Sequence, residues 1–136
     1  MRRLTIGLVV AALALAAAAA AHPQPTAASP AGGGRCGDGR PAACLKAAAR
    51  RHGVSYRLLR RIAWCESRLR PRAVNPQPAG TGEHAMGLMQ FLPSTFRATP
   101  YGGRAILSAR WNALAGAWLI RREGTGPWAA SRGCWA

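Results

Sequence analysis

Acidic residues are scarce in this chain of 136 residues. Four Asp and Glu stand against nineteen Lys and Arg, which gives a formal net charge of +15. An EF-hand calcium loop and a two-metal phosphoryl-transfer site each need several carboxylates, so both kinds of site are excluded. The three histidines are scattered and no Cys-x-x-Cys pair occurs, so we expect no metal site and no other cofactor.

Long apolar runs are missing after the first 21 residues. Those residues begin with Arg2 and Arg3, continue with an apolar run and end in alanines with an Ala-x-Ala pattern at Ala21. This order predicts a secretory signal peptide, residues 1–21, which is cleaved near Ala21. A retained membrane anchor is the alternative, but the second half of the run is only weakly hydrophobic. We therefore expect a protein that is secreted or held at the cell wall, without stable membrane insertion.

Large apolar residues are absent from the next segment, residues 22–35, which is rich in Pro, Ala and Gly. Such a segment cannot bury enough surface to offset the entropy lost on ordering, so it is interpreted as a flexible linker. The remaining residues, 36–136, have the length of one domain. Loss of the signal peptide removes two arginines and lowers the charge from +15 to +13, so the excess of positive charge persists.

Four cysteines lie in the predicted domain, and an even number in an exported chain favours two disulfides over free thiols. Three pairings are possible. We favour Cys36–Cys44, which closes a short loop containing Gly and Pro, together with Cys65–Cys134, which ties an internal helix to the C-terminal segment.

Helical periodicity dominates the domain, and no segment alternates with period two. An all-α, single domain stapled by disulfides is therefore the predicted fold. The predicted helices are Ala42 to His52, a helix capped by Ser55 that continues to Pro71, a short helix from Pro93, and a helix capped by Ser108 that ends at Gly124.

One carboxylate occupies an unusual position in the second predicted helix. Glu66 follows Ile62 by four residues and Leu59 by seven, so it shares their apolar face. Most helical Glu residues are surface residues, and pairing with a nearby arginine is the ordinary interpretation. A carboxyl held against apolar surface has a raised pKa, however, and can act as a general acid near neutral pH.

Two short motifs flank this position, CESRLRPRAVNP from Cys65 and GLMQFLPSTF from Gly87. In this pair the chain resembles the lytic transglycosylase and goose-type lysozyme-like family, the SLT domain in particular, including its small secreted actinobacterial members. The resemblance runs from about Val54 to Leu119 and includes Trp111-Asn112. It implies a lysozyme-like fold.

The resemblance also implies a reaction, the cleavage of the β-1,4 bond between N-acetylmuramic acid (MurNAc) and N-acetylglucosamine (GlcNAc) in peptidoglycan. Glu66 matches the catalytic Glu, which protonates the leaving oxygen and then serves as base on the muramyl 6-hydroxyl. An inverting hydrolase needs a second carboxylate, for which Glu83 is the candidate, although a solvated loop charge is its ordinary interpretation. The residues expected to bind substrate are Ser67, Gly87, Leu88, Met89, Gln90, Asn112 and Trp128.

The C-terminal segment departs from the family pattern. The classical family has a Tyr-Asn motif there, whose Tyr hydrogen-bonds near the catalytic Glu, and neither Tyr56 nor Tyr101 occupies that position. A Cys65–Cys134 bond would bring this segment beside Glu66. Trp128 would then form part of a groove wall, with burial against Trp118 as the alternative.

The positive charge predicts anionic partners, and outside the cell these are wall polymers and peptidoglycan. A nucleic-acid binder shares this composition, but the arginines are dispersed, no nucleic-acid motif occurs and a signal peptide leads away from nucleic acid. Three functions remain open: a lytic transglycosylase, a lysozyme-type hydrolase of the same bond, and a non-catalytic cationic wall-binding or antimicrobial protein. We expect a monomer in each case.

Overall fold

The computed structural model describes residues 35–136, which contain five α-helices, one 3-10 helix and one β-hairpin. The predicted signal peptide and residues 22–34 of the predicted linker lie outside the described residues. The helices are α1 (Pro41–His52), α2 (Tyr56–Ser67), α3 (Pro93–Arg97), α4 (Ala109–Glu123) and α5 (Arg132–Trp135), with the 3-10 helix at Gly126–Ser131 and the strands β1 (Val74–Pro78) and β2 (His84–Met86).

The hairpin corrects the all-α prediction, while the helix-rich fold is confirmed. Strands β1 and β2 pair antiparallel, with Val74 opposite Met86 and Pro78 opposite His84. All five residues of β1 are exposed. Alternation with period two arises only where one face of a strand is buried, so this strand leaves no such pattern in the sequence.

The core is centred on α1, which packs against both α4 and α2 through alanines and larger aliphatic residues. The turn from α1 to α2 follows the predicted signals: Gly53 ends α1 with a φ of 65°, and the Ser55 hydroxyl accepts a hydrogen bond of 3.3 Å from the Leu58 N–H. Helix α1 presents Leu45 and Ala48 to the core, and α4 presents Ala113 and Ala117.

Helix α2 ends at Ser67, four residues before the predicted end at Pro71. Arg68 and Leu69 follow with φ values of 54° and 59°, the left-handed region that residues other than Gly seldom adopt. The N–H of Arg68 closes the helix on the Trp64 carbonyl at 2.9 Å. This early stop places Glu66 in the last turn of α2.

Helix α4 begins where predicted, but its cap comes from a different residue. The Ser108 side chain makes no capping hydrogen bond, whereas the Asp38 carboxylate accepts one of 2.9 Å from the Ala109 N–H. A carboxylate suits this position because the N-terminus of a helix carries partial positive charge. Asp38 thereby anchors the loop before α1 to the start of α4.

Two disulfides, Cys36–Cys44 and Cys65–Cys134, lie in the structure, and they are the two pairs that the sequence analysis favours. The first closes the loop that carries Asp38. The second joins α2 to α5 across a sequence separation of 69 residues. Among residues 35–136, no helix has the length and apolar character that crossing a membrane requires.

Candidate active site

Glu66 lies half-buried in the last turn of α2. Burial raises the pKa of its carboxyl, and a hydrogen bond from the Ser131 hydroxyl opposes this rise without cancelling it. The C-terminal end of a helix carries partial negative charge and also disfavours a carboxylate. Glu66 is therefore held in surroundings that favour its protonated form, as a general acid requires.

The C-terminal segment supplies the hydrogen-bond partner of Glu66. Ser131 ends the 3-10 helix, and its hydroxyl oxygen lies 3.2 Å from the Trp128 carbonyl and 3.1 Å from the indole N–H of Trp135. The same indole N–H lies 3.1 Å from the Trp128 carbonyl. The neighbouring Cys65–Cys134 bond holds this segment against α2.

The loop between β2 and α3 is fixed by buried side chains from three other parts of the fold. The Ser67 hydroxyl donates to the Leu88 carbonyl at 2.8 Å, the Asn112 carbonyl oxygen accepts from the Met89 N–H at 2.7 Å, and the Trp128 indole donates to the Met89 carbonyl at 2.9 Å. Three successive polar groups of the loop backbone are thus satisfied by side chains. The loop is consequently positioned against the end of α2.

Two glycines permit this arrangement. Gly87 has a φ of 82°, and a Cβ there would lie 2.2 Å from the amide nitrogen of Asn112. That nitrogen also donates to the Ile106 carbonyl at 2.8 Å. On α4, a Cβ at Gly116 would lie 2.9 Å from the Met89 side chain. A side chain at either position would displace the loop.

Gln90 completes the loop in a left-handed conformation with a φ of 52°. Its side-chain amide donates to the Gly87 carbonyl at 2.9 Å and to the Ala73 carbonyl at 3.2 Å. Arg68, Leu69 and Gln90 are the residues other than Gly with positive φ in the described part of the chain, and they lie directly after α2 and in this loop. Sparsely populated backbone conformations of this kind cluster at functional sites.

The residues that the sequence predicts to bind substrate differ in burial. The structure brings the predicted residues together, but the side chains of Leu88, Met89 and Asn112 are fully buried and Ser67 is 2% exposed. The Ser67 hydroxyl and the Asn112 amide oxygen are already hydrogen-bonded to the backbone of the loop. In this structure they shape the loop from within, and Gln90 is the member whose side chain is partly exposed.

Trp128 is also buried, with 5% of its surface exposed. Its ring meets Phe91 edge to face at 5.9 Å between centroids, and its indole N–H binds the loop. It forms part of the wall of a cavity of about 320 Å³ that is lined by Met89, Gln90, Phe91, Leu92, Thr95, Leu119, Pro127 and Trp128. Trp128 therefore joins the loop to the C-terminal segment.

Glu83, the candidate second carboxylate, is engaged elsewhere. Its carboxylate accepts hydrogen bonds from the backbone N–H of Ser94 at 2.8 Å and from the Ser94 hydroxyl at 2.5 Å, and the guanidinium of Arg97 lies 3.8 Å away. The Ser94 hydroxyl bond is the largest of the effects that lower the pKa of Glu83. Glu83 is thus an ionised cap for the first turn of α3.

The other two acids are also paired. Asp38 caps α4 and lies 3.7 Å from Arg72, while Glu123 lies 3.7 Å from Arg122 on an exposed surface. Among residues 35–136, no group of three His, Cys, Asp or Glu side chains is arranged to hold a metal ion. Glu66 differs from Glu83 in that its surroundings raise the pKa of the carboxyl and favour the protonated form.

A second, larger cavity lies away from these residues. It measures about 560 Å³ between α1 and α4 and is lined by Arg35, Cys36, Cys44, Ala47, Ala48, Arg51, Tyr101, Arg110, Trp111 and Leu114. Neither Glu66 nor any predicted substrate-binding residue lines it. The chemistry of Glu66, not cavity size, therefore identifies the candidate active site.

Ser131 is the residue of this site that the sequence did not reveal. Serine in a segment of small residues gives no signal by itself. The signal lay in the favoured Cys65–Cys134 pair, because a residue three positions before Cys134 lies within reach of a residue beside Cys65.

Comparison with known proteins adds a family assignment. No curated protein and no solved structure gives a significant match to the chain. The family model described as "Transglycosylase SLT domain" matches residues 43–122, which is more than half of the chain and includes α2, the hairpin, the loop and nearly all of α4. This match confirms the resemblance carried by the two motifs, and the chain belongs to the transglycosylase SLT domain family.

Proposed function

We propose that the protein is a peptidoglycan lytic transglycosylase that cleaves the MurNAc-GlcNAc β-1,4 bond with Glu66 as its single acid and base. The observation that carries the proposal is the half-buried carboxyl of Glu66, whose pKa is raised by burial, beside the loop of an SLT domain. Such a group retains its proton closer to neutral pH than an exposed Glu does.

In the proposed reaction, Glu66 gives its proton to the glycosidic oxygen while the bond from that oxygen to the muramyl C1 breaks. The Glu66 carboxylate then takes the proton of the muramyl 6-hydroxyl, and the oxygen of that hydroxyl bonds to C1. The products are a 1,6-anhydromuramyl end and a free GlcNAc hydroxyl. No water is consumed, and Glu66 returns to its protonated form.

The hydrogen bonds of Glu83 favour this route over an inverting hydrolase. An inverting enzyme needs a second carboxylate that is free to activate water. Glu83 uses both oxygens to cap α3 through Ser94, and Asp38 caps α4 in a comparable way. A mechanism with one carboxylate makes no demand on either residue.

The glycan strand is proposed to lie along the partly exposed Gln90 and the cavity that this residue shares with Trp128 and Thr95. Amide and backbone groups at such a position suit the hydroxyl and N-acetyl groups of the sugars. The exposed arginines would bring the enzyme to anionic wall polymers. Two disulfides fit the predicted export, since such bonds persist in oxidising compartments.

The first test is digestion of purified peptidoglycan followed by mass spectrometry of the muropeptides. We expect 1,6-anhydro products from the wild type, a loss of about a hundredfold or more for Glu66→Gln, and retained cleavage for the matched variant Glu83→Gln. Hydrated products would support a hydrolase instead. Absence of products from the folded wild type would contradict both enzymatic functions and favour a non-catalytic wall-binding protein.

A further inference from the structure

The hydroxyl of Ser131 has more possible partners than it has protons. It lies within hydrogen-bond distance of the Glu66 carboxylate, the Trp128 carbonyl at 3.2 Å and the Trp135 indole N–H at 3.1 Å. An indole N–H can only donate, and the Trp135 proton is shared between the Ser131 oxygen and the Trp128 carbonyl, each at 3.1 Å, so Trp135 does not compete for the Ser131 proton. The single Ser131 proton is left with two alternative acceptors, Glu66 and the Trp128 carbonyl.

The protonation state of Glu66 decides between these acceptors. An ionised carboxylate can only accept, so the Ser131 proton then points at Glu66. A protonated carboxyl can donate its own proton to the Ser131 oxygen, and the Ser131 proton is then free to turn to the Trp128 carbonyl. Both states of Glu66 thus have a hydrogen bond to the same oxygen atom, without movement of the backbone.

We propose that Ser131 is a positioning residue whose hydroxyl turns between Glu66 and the Trp128 carbonyl as Glu66 gives up and regains its proton. The inference rests on the proposed function of Glu66 as acid and then base. A carboxyl that performs both steps must stay in place while its charge changes. Ser131 holds it in both states, and the Trp135 indole N–H, 3.1 Å from the Ser131 oxygen, helps to keep that oxygen in place.

Charged groups close to Glu66 do not hold its carboxyl in place while its charge changes. The three ion pairs within residues 35–136 do not include Glu66. On α2 and directly after it, Arg61 donates to the Ala136 carbonyl and Arg68 stacks on Trp64. On the elements packed against α2, Arg132 is exposed and His52 of α1 is hydrogen-bonded to Tyr101. Burial and the Ser131 hydroxyl are the effects that set the pKa of Glu66.

The composition makes a direct test practical, because the full chain has only three glutamates, Glu66, Glu83 and Glu123. Carbon-13 labelling of glutamate gives three side-chain carboxyl signals, whose titration is followed by NMR in the disulfide-bonded protein without substrate. Glu66→Gln identifies the Glu66 signal. The variants are Ser131→Ala and Ser131→Thr, with Ser94→Ala as the matched control because Ser94 bonds Glu83 in the same way.

We expect Ser131→Ala to raise the pKa of Glu66 further and leave Glu83 unchanged, because the charge-assisted hydrogen bond that the ionised form loses is stronger than the one that the neutral form loses. Ser94→Ala should do the reverse and raise the pKa of Glu83 alone. Ser131→Thr, which keeps a hydroxyl, should restore the pKa of Glu66 toward that of the wild type. In muropeptide assays, Ser131→Ala should lower kcat about tenfold with little change in KM, and move upward the alkaline limb of the pH profile, where Glu66 loses its proton.

An unchanged Glu66 pKa in a folded Ser131→Ala protein, verified by near-UV circular dichroism, would overturn the inference. A Ser131→Thr protein that folds but does not restore the pKa would also contradict it. The NMR titration needs no activity, so its outcome is independent of the proposed reaction. Retained cleavage by Glu66→Gln would overturn the proposed function instead.

Discussion

Glu66 and Glu83 each accept a hydrogen bond from a serine hydroxyl, yet their pKa values move in opposite directions. Glu66 is half-buried in the last turn of α2, where desolvation outweighs the single hydroxyl. Glu83 is at the first turn of α3, where a backbone N–H and Arg97 add to the hydroxyl. The difference teaches that a serine hydroxyl lowers the pKa of the carboxyl in both places, and that the depth of burial decides whether this lowering prevails.

The two carboxylates also differ in how their surroundings are built. Ser67, the neighbour of Glu66, binds a loop that is held by buried polar side chains, whereas Glu83 belongs to a hairpin whose first strand is exposed throughout. We therefore expect changes to the scaffold near Glu66 to have the larger effects. The following predictions test this contrast.

Asn112→Ala should have the largest effect on stability. It removes the buried partner of the Met89 N–H and of the Ile106 carbonyl, and should lower the free energy of unfolding by about 2–3 kcal/mol. The matched variant is Asn75→Ala in the exposed hairpin, where the side chain accepts from the Gln77 N–H at 3.0 Å, and a change within about 0.5 kcal/mol is expected. Urea denaturation of the disulfide-bonded protein measures the free energy of unfolding of both variants. Equal decreases would contradict the expected difference between the buried loop and the exposed hairpin.

Glutamine substitutions at the two carboxylates should shift Tm in opposite directions at pH 7. The folded pKa of Glu66 is raised above the ordinary value of 4.5, so its contribution to stability is present below that value and is lost as pH rises through the folded pKa. Glu66→Gln should therefore raise Tm at pH 7. The folded pKa of Glu83 is lowered, so its contribution is present above 4.5 and is lost as pH falls; Glu83→Gln should lower Tm.

Both differences in Tm should disappear at a pH below the folded pKa of Glu83, where each carboxyl is protonated in both states. Thermal scans of the three proteins across this range provide the measurement. Shifts of the same sign for both variants at pH 7 would show that the two environments do not differ as described.

Arg97→Gln should have the smallest effect. Its guanidinium lies 3.8 Å from Glu83 and is largely exposed, and exposed ion pairs contribute about 0–1 kcal/mol. A small decrease in Tm is expected at low salt and none at high salt, because mobile ions screen such pairs. A large decrease that persists at high salt would mean that the cap of α3 depends on this arginine.

Much of the helical framework was predictable because its signals are local. Each of these signals spans only a few residues of sequence: the apolar spacing of α2 and α4, the Ser55 cap and Gly53. The exposed hairpin left no alternating pattern, and the early stop of α2 depends on left-handed Arg68 and Leu69, for which the sequence offers no glycine. The cap of α4 comes from Asp38, 71 residues away in sequence.

Glu66 could be singled out from the sequence because both its apolar face and its motif point to it. The roles of Ser67 and Asn112 could not be predicted from the sequence. A polar residue near a motif is equally compatible with a contact to the ligand and with buried support of a loop. Ser131 contacts Glu66 across 65 residues of sequence, and only the tertiary structure reveals that contact. The missed features are therefore the non-local ones.

The Cys65–Cys134 bond covalently joins the helix that carries Glu66 to the segment that carries Ser131. Closing a loop of this size removes chain entropy worth about 4 kcal/mol, and the bond adjoins Glu66 on one side and the Ser131 segment on the other. When the two thiols are reduced, the hydroxyl that steadies Glu66 is no longer tethered to α2. Under the proposed function, a chain with reduced thiols would carry the acid without the covalent support of this segment, and formation of the disulfide would complete the site.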